Sequence, residues 1–310
     1  MMESQARGAQ RDSAPINVVT TADVGFGKQL AVLLRSIERT HDVGSVYVWV
    51  IAPEGTRSEI GPLPMDRFLR WVLPPIGDGE GWRLPPQFCA PTFHRLGLGT
   101  VLPGYVQRVI YLDADTVVKS SLLPLWELDL GNRVLAAVRD VGVPWVGAPG
   151  GLKFRELELA PSLPYFNAGV MLVDLDAWRR LKVGDEAVAV LLKVPVNLAD
   201  QCALNAAVAG DWMHLEPRWN LQARYFEESF APVVHRLEDL DRSVADPVII
   251  HFSTTLIGRP WAITCNHPLK GEWFDLLDET TYAGWRPTRP SRLAGIGRRL
   301  RRAGLVMLHG

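Results

Sequence analysis

The run SVYVWVIAP, residues 45–53, is apolar or aromatic at every position from Val46 to Ala52. A strand turns alternate side chains to opposite faces, so a strand without polar alternation must be covered on both. Strands of that kind belong to parallel sheets flanked by helices. The neighbouring segments supply such a sheet. INVVTTAD (16–23) reads as a first strand that runs into a turn. KQLAVLLRSIERTH (28–41) places Leu30, Leu33, Leu34 and Ile37 on one helical face. FLRWVLPP (68–75) reads as a further strand, Pro75 to Pro91 as a loop, and CAPTFHRLGLGTVLPG (89–104) as a helix stopped by Pro103-Gly104. YVQRVIYLDAD follows as the next strand. Alternating strands and helices define an open α/β sheet, whose ligands sit beyond the carboxyl ends of the strands.

Two aspartates stand at such an end. If the extended geometry of RVIYL (108–112) continues, Asp113 and Asp115 share one face. At roughly 6 Å they repel by about 3 kcal/mol at an effective dielectric near 20. A hydrated turn, a basic partner or a divalent cation would each offset that repulsion. LDADTV also fits, by letter, the D-x-D-x-T/V nucleophile motif of haloacid-dehalogenase-type phosphatases. That motif follows the first strand of its domain, however, and here two strand–helix units precede it. GDEAVAV (184–190) moreover reads as a helix entry rather than as a second acidic pair. In the metal reading, the pair holds a hard cation such as Mn2+ or Mg2+, which bridges a nucleotide diphosphate.

Further along, NRVLAAVRD (132–140) reads as a strand ending at Asp140, and YFNAGVMLVDLDAWRRL (165–181) as a strand and a helix capped by Asp174. ADQCALNAAVAG (199–210) reads as a helix begun by Asp200, DPVIIHFS (246–253) as a strand ending in His251, and HPLKGEWFDLL (267–277) as a closing helix.

Five of these blocks, in order, resemble the retaining glycosyltransferases of family 8, which include glycogenin and bacterial lipooligosaccharide galactosyltransferases. They are TAD (21–23), PTFHRLGLGTVLPGYVQRVIYLDADTVV (91–118), YFNAGVMLVDLDAWR (165–179), ADQCALN (199–205) and HFSTTLIGRPW (251–261). The resemblance implies an α/β chain with one GT-A-type, Rossmann-like nucleotide-diphospho-sugar transferase domain and a mixed central sheet. It implies a metal held by Asp113, Asp115 and His251, with Ala114 between the carboxylates. Asp23 would read the uracil edge, and Thr21 and Ala22 would line the base pocket through their backbones. Arg95, Asp140, Asn167, Ala168, Gly169, Asp200 and Gln201 match positions that hold the donor sugar, with Gly169 there for close backbone approach or as a plain turn glycine. Gln201, Asp200 and Arg259 would be the catalytic set. The implied activity is transfer of glucose or galactose from a UDP-sugar to a glycan or lipid-linked acceptor with retention, favoured as same-face attack. A sugar-nucleotide binder of the same fold without turnover is the alternative. The chain departs from the family pattern in three places. Arg259 replaces the lysine before Pro-Trp, two extra residues precede it so that the loop glycine is either Gly258 or absent, and Gly25 replaces a frequent asparagine.

Composition bounds the setting. The 310 residues carry a formal charge of −1, but seven arginines and no acid follow Trp285. Those seven leave 26 basic against 34 acidic residues before them, about −8, which is not the pattern of a nucleic-acid binder. Three scattered cysteines (89, 202, 265) fit a reducing compartment, and the opening MMESQARGAQRDSAP has no signal-peptide core, so the expected location is cytoplasmic. The expected domains are a tail at 1–14, the transferase at 15–282 and a basic tail at 283–310. In that last tail Leu293, Ile296, Leu300, Ala303 and Met307 alternate with arginines. Such a segment either lies on an anionic membrane face, placing the protein at the inner surface, or stays solvated.

Overall fold

The computed structural model describes residues 15–74, 93–194, 199–227, 237–253 and 255–288. The expected loop at 75–91, the first residues of the helix from Cys89, the tail at 1–14 and the arginine-rich run from residue 289 lie outside them.

The strands β1 (Ile16–Thr21), β2 (Val46–Ile51), β3 (Leu69–Val72), β4 (Arg108–Leu112), β6 (Leu135–Arg139), β7 (Phe166–Asp174) and β8 (Met213–His214) form one sheet among the described residues. Their order is β3-β2-β1-β4-β7-β6-β8. Pairing is parallel from β3 through β4, whereas β7 runs antiparallel to both β4 and β6, so the sheet is mixed as the sequence implied. Helix α1 (Gly27–Thr40) covers one face with Leu30, Leu33, Leu34 and Ile37, all fully buried. On the other face Tyr111, Met171 and Val173 pack with Phe93, Leu96, Trp178 and Leu204 from the helices that follow. Every residue of β7 before Asp174 is buried, which accounts for its lack of alternation. Asp174 then caps the helix Leu175–Arg180 by accepting from the Ala177 N–H at 2.8 Å.

A second, three-stranded sheet was not legible in the sequence. Strands β5 (Thr116–Val118) and β10 (Ile249–His251) pair antiparallel, with β9 (Leu221–Gln222) parallel on the far side of β10. Three residues of β pattern after LDAD are too few to stand out against the strand before them. The helix Lys270–Leu277 closes this layer with Trp273, Leu276 and Leu277 buried, while Phe274 packs partly buried beside them. Trp285, which the sequence assigned to the tail, packs against Trp273 at 6.4 Å between ring centres. Among the described residues no helix is long and apolar enough to cross a membrane.

Candidate active site

Strands β1 and β4 are parallel neighbours at the centre of the main sheet, and the chain leaves them in opposite directions across it. Their carboxyl ends therefore open a crevice, and both aspartate-bearing turns lie there. The geometry of the acidic pair differs from the extended one anticipated. β4 stops at Leu112, and residues 113–116 turn, with the Thr116 N–H and hydroxyl both donating to the Asp113 carbonyl at 3.1 and 2.8 Å. The turn brings the carboxylates together and aims the chain into β5, whose partner β10 sets His251 opposite Thr116. One ligand atom from each of Asp113, Asp115 and His251 lies within 4.8 Å of the other two.

Gly169 makes this approach possible. It sits inside β7, not in a turn, and its carbonyl accepts from the Asp113 N–H at 2.8 Å. A Cβ there would overlap His251 Cε1 and stand 2.9 Å from Asp113 Oδ2. Only glycine leaves the room that the three ligand atoms converge on. Two carboxylates and an imidazole are a suitable donor set for a hard or borderline divalent cation.

Positive charge surrounds the pair. Arg95 Nη2 lies 3.0 Å from Asp113, its Nε 2.5 Å from Asp200, and its Nη1 donates to the Ala168 carbonyl at 2.8 Å. Its guanidinium also stacks 4.8 Å from the Tyr111 ring, so Arg95 is a buried strut between the acidic turn, β7 and the helix Ala199–Val208. Arg259 Nη2 lies 3.8 Å from Asp115, with its guanidinium 5.6 Å from the Trp261 ring centre. Gly258 beside it has φ +78°, a backbone state that favours glycine. His251 Nε2 stands 3.2 Å from Asp115 and 3.9 Å from Asp113. Burial opposes its charged form, but the two aspartates outweigh burial and hold its pKa above the ordinary histidine range. Burial likewise opposes the Asp115 carboxylate, yet His251 and Arg259 hold its pKa below the usual range. Burial pushes Asp200 up to about 7 against the pull of Arg95, with Asp113 adding repulsion.

A chain of amides completes the site. Gln201 accepts from the Ala168 N–H and donates to Asp140 Oδ2, both at 3.0 Å. Asn167 donates to the same Asp140 oxygen at 2.9 Å and accepts from Asn220 at 2.9 Å. Asn220 in turn accepts from His251 Nδ1 at 3.0 Å. An acceptor at Nδ1 makes that nitrogen the N–H and turns the Nε2 lone pair of the neutral ring toward the aspartates. Asn220 was missed from sequence. The available signal was WNLQ (219–222), where two amides alternate with the half-buried Trp219 and the buried Leu221.

The residues expected from the sequence to line a base pocket cluster at the end of β1. Ala22 is buried, and Thr21 Oγ1 lies 3.3 Å from the Tyr111 hydroxyl, which donates to Asp113 at 2.9 Å. Asp23 Oδ1 accepts from the Phe26 N–H at 3.1 Å. Gly25 follows within that turn, and Ala114 is buried between the two aspartates.

Residues 83–265, well over half of the chain, match the family described as glycosyl transferase family 8, and the chain belongs to that family. General stress protein A of Bacillus subtilis is 28% identical over 182 residues, 57% of this chain and 60% of the relative. The lipopolysaccharide 1,2-glucosyltransferase of Escherichia coli is 27% identical over 212 residues, covering 66% of this chain and 62% of that one. The chain thus spans less than two thirds of the length of these curated relatives. Among solved structures, the galactosyltransferase LgtC with donor and acceptor sugar analogs superposes with a TM-score of 0.65 at 23% identity, covering 90% of this chain and 99% of that one. The bifunctional glycosyltransferase WbbM without ligand superposes at 0.70 and 19% identity, covering 87% and 51%. The shared fold is the GT-A glycosyltransferase fold.

Two outcomes are expected. His251 must be neutral to offer Nε2 to a cation, and its raised pKa lets protons compete at pH 6.5 and above. Mn2+ affinity should rise about tenfold per pH unit until the imidazole is deprotonated, then level off. Calorimetry in two buffers of different ionisation enthalpy should detect proton release, and a flat profile from pH 6 to 8 would count against His251 as a ligand. Without a cation the His251–Asp115 pair stabilises the fold between about pH 4 and 6.5. His251's share is lost as pH rises through its raised pKa, and Asp115's as pH falls through its lowered one. Second, Asn220→Ala should weaken Mn2+ binding by about 10- to 100-fold, the usual effect of freeing a metal-bound imidazole from its outer partner. Unchanged affinity in the folded variant would remove that role.

Proposed function

We propose that the chain is a metal-dependent, retaining hexosyltransferase, which moves glucose or galactose from a UDP-sugar to a hydroxyl of a glycan or lipid-linked acceptor. The observation that carries this reading is the convergence of Asp113, Asp115 and His251 within 4.8 Å beside Asp140, Asn167 and Gln201. Those carboxylate and amide groups supply both acceptors and donors, which sugar hydroxyls require.

Mn2+ or Mg2+ held by the triad would supply positive charge beside the departing diphosphate. Arg259, whose side chain is about a third exposed, adds a second charge on the same side, where negative charge builds as the bond breaks. It brings a planar fork rather than the point charge of a lysine. Gln201 is held at both ends of its amide, by Ala168 and Asp140, and also bonds the Tyr165 hydroxyl through its N–H, while its oxygen keeps a second lone pair. That lone pair steadies an oxocarbenium-like sugar without forming a bond to it. Asp200 is a poor nucleophile: one oxygen is taken by Arg95, and a pKa of about 7 leaves the carboxyl substantially protonated at neutrality. Same-face attack, with the leaving phosphate drawing off the acceptor's proton, fits these constraints better than a covalent sugar–enzyme intermediate.

In a screen of UDP-sugars, Mn2+-dependent hydrolysis should appear with UDP-glucose or UDP-galactose and disappear in Asp113→Asn. Gln201→Ala should lower kcat by about 10²-fold with KM little changed, a loss typical of one electrostatic group. Near-normal turnover in that variant would remove Gln201 from the mechanism, and a trapped sugar adduct would overturn same-face attack.

The acceptor reading draws on the lipopolysaccharide glucosyltransferase among the relatives. With residues 15–282 as the transferase domain, the basic tail at 283–310 would hold the protein at the inner membrane face. Flotation with anionic liposomes should recover the full chain and lose a chain ending at Trp285; equal recovery would end the membrane role.

A further inference from the structure

Residues 220–227 brace the crevice from β9 onward. Asn220 holds His251, and Gln222 ties the chain around Asp140, accepting from the Val141 N–H at 3.0 Å and donating to the Arg139 carbonyl at 2.9 Å. The turn Ala223–Phe226 then carries Arg224 against Gly142, where a Cβ would overlap its Nη1. The Gly142 N–H donates to Asp140 Oδ1 at 2.8 Å, so Arg224 lies on the turn that sets that carboxylate. Glu227 comes last. Its Oε1 accepts from the Leu256 N–H at 2.6 Å, and its Oε2 stands 3.7 Å from Arg224 Nε.

Leu256 lies three residues before Arg259, in the stretch that carries the two extra residues. Side-chain packing does not hold it there, because Leu256 is 88% exposed. Backbone bonds fasten the chain on either side: the Phe252 N–H donates to the Asp115 carbonyl at 3.0 Å, and the Asn266 N–H to the Ile257 carbonyl at 2.7 Å. Between them the Glu227 carboxylate takes the place of a packed side chain. That side chain is 8% exposed, and a buried carboxylate is costly unless it is bonded. A charge-assisted bond to a backbone N–H is roughly twice as strong as a neutral one, which suits the anchor of an exposed loop. Arg259 Nη2 meets Asp115 at 3.8 Å, too long for a hydrogen bond, so the backbone that carries Arg259 matters to its place.

We propose that Glu227 is a positioning residue, which fastens the loop before Arg259 and so keeps its guanidinium beside Asp115, where the diphosphate would leave. This rests on the UDP-sugar reading above. The test is a double-mutant cycle of Glu227→Ala and Arg259→Ala, with Glu227→Gln alongside. It reads UDP affinity by calorimetry with Mn2+, the kcat and KM of UDP-glucose and UDP-galactose hydrolysis, and the Tm of each variant. Glu227→Ala should weaken UDP binding and lower kcat by about fivefold with Arg259 present, and by less than about twofold once Arg259 is alanine. Glu227→Gln, whose amide oxygen still accepts from Leu256, should keep most of both. A purely structural carboxylate would lower Tm and act alike in the two backgrounds. Equal losses in both, or none in either, overturn the inference and leave the donor reading standing. Should Glu227→Ala fail to fold, Glu227→Asp, one methylene short of the Leu256 N–H, takes its place in the cycle and is read the same way. A wild type that takes up no UDP ends the donor reading and this inference together.

Discussion

The structure turns on holding two carboxylates close together in a place with little water. Asp115 is almost fully buried and Asp113 only partly open. At such positions like charges repel strongly, so their surroundings must supply the opposite sign. Arg95, Arg259 and His251 do so from three segments that are remote in sequence. The arrangement is poised for a divalent cation, because an ion between the ligand atoms would replace the proton on His251 and relieve the carboxylates directly.

Each of those partners is itself fixed. Arg95 spends its guanidinium on two carboxylates, a carbonyl and a ring face, so its position is set by the protein. His251 is oriented through Asn220, and the run from Asn220 through Asn167 and Asp140 to Gln201 fixes each amide by its neighbour. Networks of this kind stiffen a site when every member is satisfied. Here the stiffness reaches from the proposed metal ligands to the groups proposed to meet the sugar. Gly169 is the steric counterpart, a missing side chain at the one point where β7, the acidic turn and His251 approach most closely.

Much of this was legible as pattern. The unalternating strands Val46–Ile51 and Arg108–Leu112 announced a sheet covered on both faces, and the ordered blocks from TAD to GRPW announced the family. The small sheet was hidden, since β5, β9 and β10 have only two or three residues each and make sense only as one another's partners. Asn220 was equally hidden. A lone asparagine reads as an ordinary core or surface residue until its neighbours are known. Gly169 was visible as a letter, but its reason, the imidazole it would otherwise strike, was not.

The sequence by itself determined the architecture and the chemical types available at the crevice, because burial periodicity and local turns depend on residues near one another in the chain. Only the tertiary structure decided which of those groups meet. The turn after Leu112, the pairing of β5 with β10 and the bare backbone at Gly169 bring His251 to the aspartates across more than 130 residues of chain. No local pattern encodes a distance between segments so far apart; the packing of the two sheets sets it.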